Sequence, residues 1–179
     1  CTIPPEIGVF SPVVEWHWDT NSIQPGYHQI MAQPIAINLT DDNFDGIIDE
    51  EDIPDVIFSS FSGGGYTSAG ALSAISGTDG SMLWSTRGEN NIGPYGSSGL
   101  AAATIDGVSP YIYALTTNGL GCFDSLGNLL WNTPLSPFPN HGIGQPAIAD
   151  LEGDGNPEVI LGPHVLSAID GTLLWTGAG

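Results

Sequence analysis

Lysine is absent from this chain, and Arg87 is the only permanent cation among 179 residues. Against it stand 20 carboxylates, leaving a formal charge of −19. Such a chain gains nothing from the counterion release that drives nucleic-acid binding, and anionic membrane surfaces repel it. Those two partner classes are excluded, and metal cations are favoured. Cysteine is scarce as well. Cys1 and Cys122 are too far apart in sequence for a zinc or redox motif, which wants closely spaced pairs. Three readings stay open: a disulfide between them, free thiols, or a lipid-bearing Cys1. No apolar run approaches the roughly 18–20 residues that span a bilayer. No signal peptide is visible, though a mature chain would have lost one.

Helix-forming sequence is thin too. What is present is 41% hydrophobic residues with 25 Gly and 14 Pro. That apolar content excludes a disordered acidic tail. Gly and Pro punctuate short apolar runs, the pattern of many short strands joined by turns.

Three segments repeat. The first runs QPIAINL (33–39), PDVIFSSF (54–61) and GALSAISGTDGSMLW (70–84); the second GLAAATI (99–105), PYIYALTT (110–117) and GLGCFDSLGNLLW (119–131). The third runs QPAIADL (145–151), PEVILGPH (157–164) and VLSAIDGTLLW (165–175). The closing tryptophans, Trp84, Trp131 and Trp175, are 47 and 44 residues apart. A period of this size holding four short strands is what a propeller blade requires. Each unit has a small-residue strand, a loop, a β-branched strand and a hairpin whose turn carries Gly, and the hairpin ends in Trp. The three tryptophans read as structural packing between units. The expectation is therefore an all-β fold, a β-propeller of about three four-stranded blades over 30–86, 97–133 and 143–177. The segment SPVVEWHWDT (11–20) reads as an extra N-terminal strand. Closed propellers need at least about four blades, so the single partial domain, 1–179, is read as part of a longer chain.

The acids are not spread evenly, since twelve of the 20 lie in 41–55 and 150–158. DDNFDGIIDEED (41–52) puts seven carboxylates in twelve residues. Its spacing matches an EF-hand-type calcium loop, with oxygens from Asp41, Asn43, Asp45, the Ile47 carbonyl, Asp49 and Asp52, and Gly46 at the sharp turn. Ile48 is expected to point inward and anchor the loop. Asp at the closing position is shorter than the usual Glu, and Asp55 is the available substitute. DLEGDGNPE (150–158) offers Asp150, Glu152, Asp154, the Asn156 carbonyl and Glu158 around Gly155. Like charges this close repel, and a divalent ion removes that cost. Calcium, with its many oxygen ligands, fits better than magnesium. Two calcium ions are expected. In the middle unit only Asp106 survives, so that unit is expected to bind none.

ADLEGDGNPEVILG (149–162) closely resembles the FG-GAP or VCBS-type repeat of calcium-binding β-propellers, including the integrin α-subunit head. INLTDDNFDGIIDEEDIPDVIF (37–58) resembles the same repeat with a longer loop. ALSAISGTDGSMLW (71–84) and LSAIDGTLLW (166–175) resemble the tryptophan-docking motif of quinoprotein-like propellers, with Ser76 replacing the usual Asp and the second motif shortened. The resemblance covers nearly the whole chain from Val13 onward. It implies a secreted or cell-surface, non-catalytic, calcium-stabilised module for adhesion, ligand binding or surface assembly, including a fibre or sheath subunit. Its partners would be a protein, a carbohydrate or further copies of itself.

The alternative is part of a secreted propeller enzyme, such as a polysaccharide lyase or a quinoprotein-like oxidoreductase. Arg87 stands alone, and His17, His28, His141 and His164 share no motif, so no catalytic set is assigned. GGGY (63–66) and PLSPFPNHG (134–142) are long enough to be recognition loops. Asn38-Leu39-Thr40 is an N-glycosylation sequon.

Overall fold

The computed structural model describes residues 11–89, 92–105, 107–136 and 144–177. Twelve strands form three four-stranded sheets, and no helix is present among the described residues. The first sheet holds β1 (Ile35–Ile37), β2 (Asp55–Ser60), β3 (Ala71–Ile75) and β4 (Met82–Thr86). The second holds β5 (Leu100–Thr104), β6 (Pro110–Leu115), β7 (Gly119–Phe123) and β8 (Leu129–Pro134). The third holds β9 (Ala147–Ala149), β10 (Glu158–Leu161), β11 (His164–Ser167) and β12 (Leu173–Thr176). Every sheet is an antiparallel meander whose strands lie side by side in chain order. Short apolar runs broken by turn residues fold this way because a hairpin needs only a few residues to reverse the chain.

The core lies between consecutive sheets. Ile57, Leu72 and Ala74 of the first sheet pack with Leu100, Ile112, Ala114 and Phe123 of the second. Tyr113, Leu115, Leu120 and Cys122 of the second pack with Val159, Leu161, Leu166 and Ala168 of the third. Side chains alternate faces along a strand. So Ile112 and Ala114 face one neighbour while Tyr113 and Leu115 face the other, and the middle sheet is buried on both sides. The first strands stand together, β5 beside both β1 and β9. All three sheets carry a register shift at one place in the third–fourth strand pairing, after Ala74, Cys122 and Val165.

The extra strand expected over 11–20 does not form. An extended segment is a strand only when a neighbour pairs its main-chain groups. Here side chains anchor the segment to the first sheet instead. Trp16 Nε1 donates to the Gly77 carbonyl (3.0 Å), and Trp18 meets Phe58 edge-on with ring centroids 4.7 Å apart. Asn21, almost fully buried, donates through Nδ2 to the Ser73 and Ser85 hydroxyls.

Candidate functional site

Both acidic loops join the first strand of a sheet to its second, so they sit on equivalent edges of the first and third sheets. In the first loop, Asp41 accepts the Asp45 amide through Oδ1 (3.2 Å) and the Gly46 amide through Oδ2 (2.9 Å). Asn43 Oδ1 shares the Asp45 amide (2.9 Å), and Asp45 Oδ1 takes the Ile47 amide (2.8 Å). Asp52 closes the loop, with Oδ1 on the Asp42 amide and Oδ2 on the Asp49 amide, both at 2.9 Å. Asp49 Oδ1 takes the Glu51 amide. The turn needs positive φ at Gly46 (89°) and also at Phe44 (62°), whose ring is left 89% exposed.

The third-sheet loop repeats the arrangement. Asp150 Oδ1 accepts the amides of Gly153 (2.7 Å) and Asp154 (3.2 Å), and Oδ2 accepts that of Gly155 (2.9 Å). Asp154 Oδ1 takes the Asn156 amide (2.8 Å), as Asp45 takes that of Ile47. Glu152 is exposed, and Glu158 is buried. The Asp49 amide, together with those of Asp42 and Asn43, holds the Asp52 carboxyl below its usual range; the Gly155 amide, with its neighbours, does the same for Asp150.

Pro-acid-Val-Ile recurs as Pro54–Ile57 and Pro157–Ile160. The two acids do one job. Asp55 Oδ2 accepts the Leu39 amide (2.9 Å) and Glu158 Oε2 accepts the Leu151 amide (2.8 Å), each tying the start of the loop to the second strand. Asp55 also takes the Thr40 hydroxyl and the Gly77 amide, and it is fully buried. These bonds tie it to the first sheet. The second sheet has Tyr111 at this place, paired with Ala103 as Asp55 is with Ile37 and preceded by Pro110 as the acids are by Pro54 and Pro157. Asp106 lies outside the described residues.

The donor set of both loops is made of hard oxygens at the spacing calcium takes. Their carboxylates are engaged with main-chain amides. Among the described residues, no three His, Cys, Asp or Glu side chains converge on one point in this conformation. No cation offsets the loops either, since Arg87 lies over the Tyr27 ring at 4.7 Å.

Several sequence expectations need correction. Ile48 does not anchor the loop inward; it is exposed, because it faces a shallow cleft shared with Thr104, Val108 and Pro110. Cys122 is a free, buried thiol, so no disulfide reaches it; burial pushes its pKa up to about 12. Cys1 and His141 lie outside the described residues, as does much of the 134–142 loop. His164 is buried with Nδ1 3.1 Å from the Thr176 hydroxyl. The Asn38 side-chain nitrogen donates to the Asp49 carbonyl, which engages the sequon's acceptor atom.

A second repeated device is built from Trp and Gly. Trp84 Nε1 donates to the Ser125 carbonyl (2.8 Å), and Trp131 Nε1 to that of Ile169 (3.1 Å). Each indole lies flat against a turn glycine. A Cβ at Gly127 would come within 2.7 Å of Trp84, and one at Gly171 within 2.4 Å of Trp131. Trp16 treats Gly80 the same way, at 2.7 Å. Sequence reasoning missed this role for Trp16, because its distance from Trp84 breaks the repeat spacing.

The first strands wall a cleft of about 620 Å³, lined by Ala36, Ala102 and Ile148 along its length with Gln33 and Gln145 among its polar groups; its described lining has no titratable side chain.

Fold and loops together define an all-β repeat protein with acid-rich turns between the first and second strands of two of its three sheets. No family model matches the chain, and no curated protein matches it. It is similar to a solved structure, the V. cholerae biofilm matrix protein Bap1, with 34% identity and a TM-score of 0.81 over 92% of this chain. The chain spans 27% of that protein's length. No helix of the described residues is long and apolar enough to cross a membrane.

Proposed function

We infer that this chain is a non-catalytic, extracellular, calcium-stabilised β-propeller module of the FG-GAP or VCBS type, serving adhesion or matrix assembly. The observation that carries the reading is the 34% identity to a biofilm matrix protein over 92% of the chain. The three sheets are read as consecutive blades, since they share strand order, bulge position and a Trp-on-Gly contact between neighbours. The central cleft offers no acid, base or nucleophile among its described lining, which favours binding over catalysis.

Asp41, Asn43, Asp45, Asp49 and Asp52, with the Ile47 carbonyl, would hold one calcium ion. Asp150, Glu152, Asp154 and Glu158, with the Asn156 carbonyl, would hold the other. Each ion supplies positive charge where carboxylates otherwise repel. Sites of this type fill at the calcium levels outside cells. The matrix partner is a protein, a carbohydrate or another copy of the chain.

Calorimetric melting in calcium and in EDTA tests the reading. A higher melting temperature in calcium, with the rise reduced in Asp45→Ala and in Asp154→Ala, is expected. Equal melting in both buffers would remove the calcium part of the reading.

A further inference from the structure

The Gly77–Gly80 turn between β3 and β4 is held from two sides. On one side lies Trp16, with Nε1 on the Gly77 carbonyl and its ring against Gly80. On the other side lies the first acidic loop. A Cβ at Gly77 would strike the Pro54 carbonyl, where that loop runs into β2. Asp55 Oδ1 accepts the Gly77 amide (3.2 Å), while its Oδ2 holds the Leu39 amide and the Thr40 hydroxyl at the start of the loop. Thr78 donates its hydroxyl to Asp42 Oδ1 at 3.1 Å. So the amide of Gly77 belongs to the loop and its carbonyl to the indole.

The third sheet has the same turn without these links. Ser76 donates its amide to the Ser81 carbonyl and accepts that of Gly80; Ser167 does the same with Thr172 and Gly171. That register puts Ile169 where Thr78 stands and Ala168 where Gly77 stands. Ile169 has no hydroxyl to give. The Ala168 amide goes to the Pro157 carbonyl (3.0 Å), not to an acid. One chain therefore carries two loops of one spacing, and Thr78 and Asp55 brace only the first of them against a tryptophan-covered turn.

We propose that Thr78 and Asp55 are positioning residues that couple the first loop to Trp16, so that calcium in this loop and the seating of the indole strengthen each other, while the third-sheet loop binds without that coupling. The proposal rests on the calcium reading above. Its sign follows from Asp42. That residue stands between Asp41 and Asn43, both assigned to the ion, and its own carboxylate is outside that set and holds Thr78. Restricting its two neighbours restricts Asp42, so less freedom remains to be lost when the turn and the indole are held as well. Coupling between two binding equilibria is reciprocal, so each raises the other by the same factor.

Calcium titration calorimetry tests this in two backgrounds, Asp154→Ala to isolate the first loop and Asp45→Ala to isolate the third. In the first background, Thr78→Val is expected to weaken calcium about threefold, the effect of one exposed hydrogen bond to a carboxylate. Trp16→Ala is expected to weaken it about fivefold, the lower end of ordinary coupling between sites. Neither substitution should alter affinity in the second background, where a general loss of stability would show. The reciprocal readout is solvent exchange of the Trp16 indole proton by NMR, assigned by its absence in Trp16→Phe. That exchange should slow about fivefold in calcium, and less in Thr78→Val. First-loop affinity unchanged by both substitutions overturns the proposal and leaves the metal reading standing. An equal fall in the third loop overturns it too. Absence of calcium binding by the Asp154→Ala chain overturns the metal reading and this proposal together. If Trp16→Ala does not fold, Thr78→Val and the indole exchange decide, and calcium-independent exchange overturns the proposal.

Discussion

The hydroxyl of Tyr113 donates to the carbonyl of Ala168 at 2.8 Å, a hydrogen bond from the second sheet to the third, buried at both ends. Burial raises the Tyr113 pKa far above its ordinary value, so the group remains a neutral donor. Replacing it by Phe leaves the Ala168 carbonyl unsatisfied in the core. Tyr113→Phe should lower unfolding free energy by about 1–2 kcal/mol in urea titration, with the strand signature in circular dichroism unchanged.

Gly127 combines φ of 81° with the face of Trp84 pressed against it. An alanine there meets both backbone strain and a ring that has nowhere to go. Gly127→Ala should cost about 2 kcal/mol or more, whereas Gly107→Ala, at φ of 75° with open space around it, should cost only about 1 kcal/mol of backbone strain. Thermal melting of the two variants side by side checks the difference.

Truncating a half-buried docking tryptophan removes its area and opens a cavity. Trp131→Ala should destabilise by about 2–4 kcal/mol, near the lower end of values for buried tryptophans. Trp175→Ala should change the unfolding free energy of a single copy far less, because its indole is half exposed. Urea midpoints at low protein concentration measure both.

Main-chain amides depress the Asp52 and Asp150 carboxyls in the folded state. A depressed folded pKa contributes stability above the unfolded value, near pH 4, and that contribution is lost as pH falls through the folded pKa. In EDTA, melting temperature should fall steadily below about pH 4. Asp52→Asn and Asp150→Asn should each flatten that fall.

Cys122 is buried, with its thiol pKa up to about 12. Its thiolate is scarce at neutral pH and shielded by the second and third sheets. Its modification by a thiol reagent at pH 8 should therefore follow global unfolding, with rates that rise with urea. Prompt modification in native buffer would show the two sheets separating locally.

Much of the fold is legible in the sequence because its determinants are local. Asp-Gly in TDG and IDG, and Leu-Gly in SLG, set the positive-φ turns at Gly80, Gly171 and Gly127, with φ of 73°, 72° and 81°. Alternation in PYIYAL separates Ile112 from Tyr113 onto opposite faces, and the Ala-rich first strands fit where β1, β5 and β9 stand together. What is not legible depends on distance. Val13, Val14, Trp16 and Trp18 have strand composition, but composition does not supply a partner strand, and the segment acts through its indoles instead. Asp55 and Glu158 are read as oxygen ligands by their offset from the loop. Their further, buried task is set by the amides of Leu39 and Leu151, which become neighbours only after the first two strands pair. The Pro-acid-Val-Ile repeat was the available signal for that shared role.

Calcium binding by the two acidic loops is read out by isothermal titration of the chelator-stripped chain with calcium. Two equivalents bound per chain are expected for wild type, and one each for Asp45→Ala and Asp154→Ala. No binding heat at millimolar calcium, or unchanged stoichiometry in both variants, would contradict it.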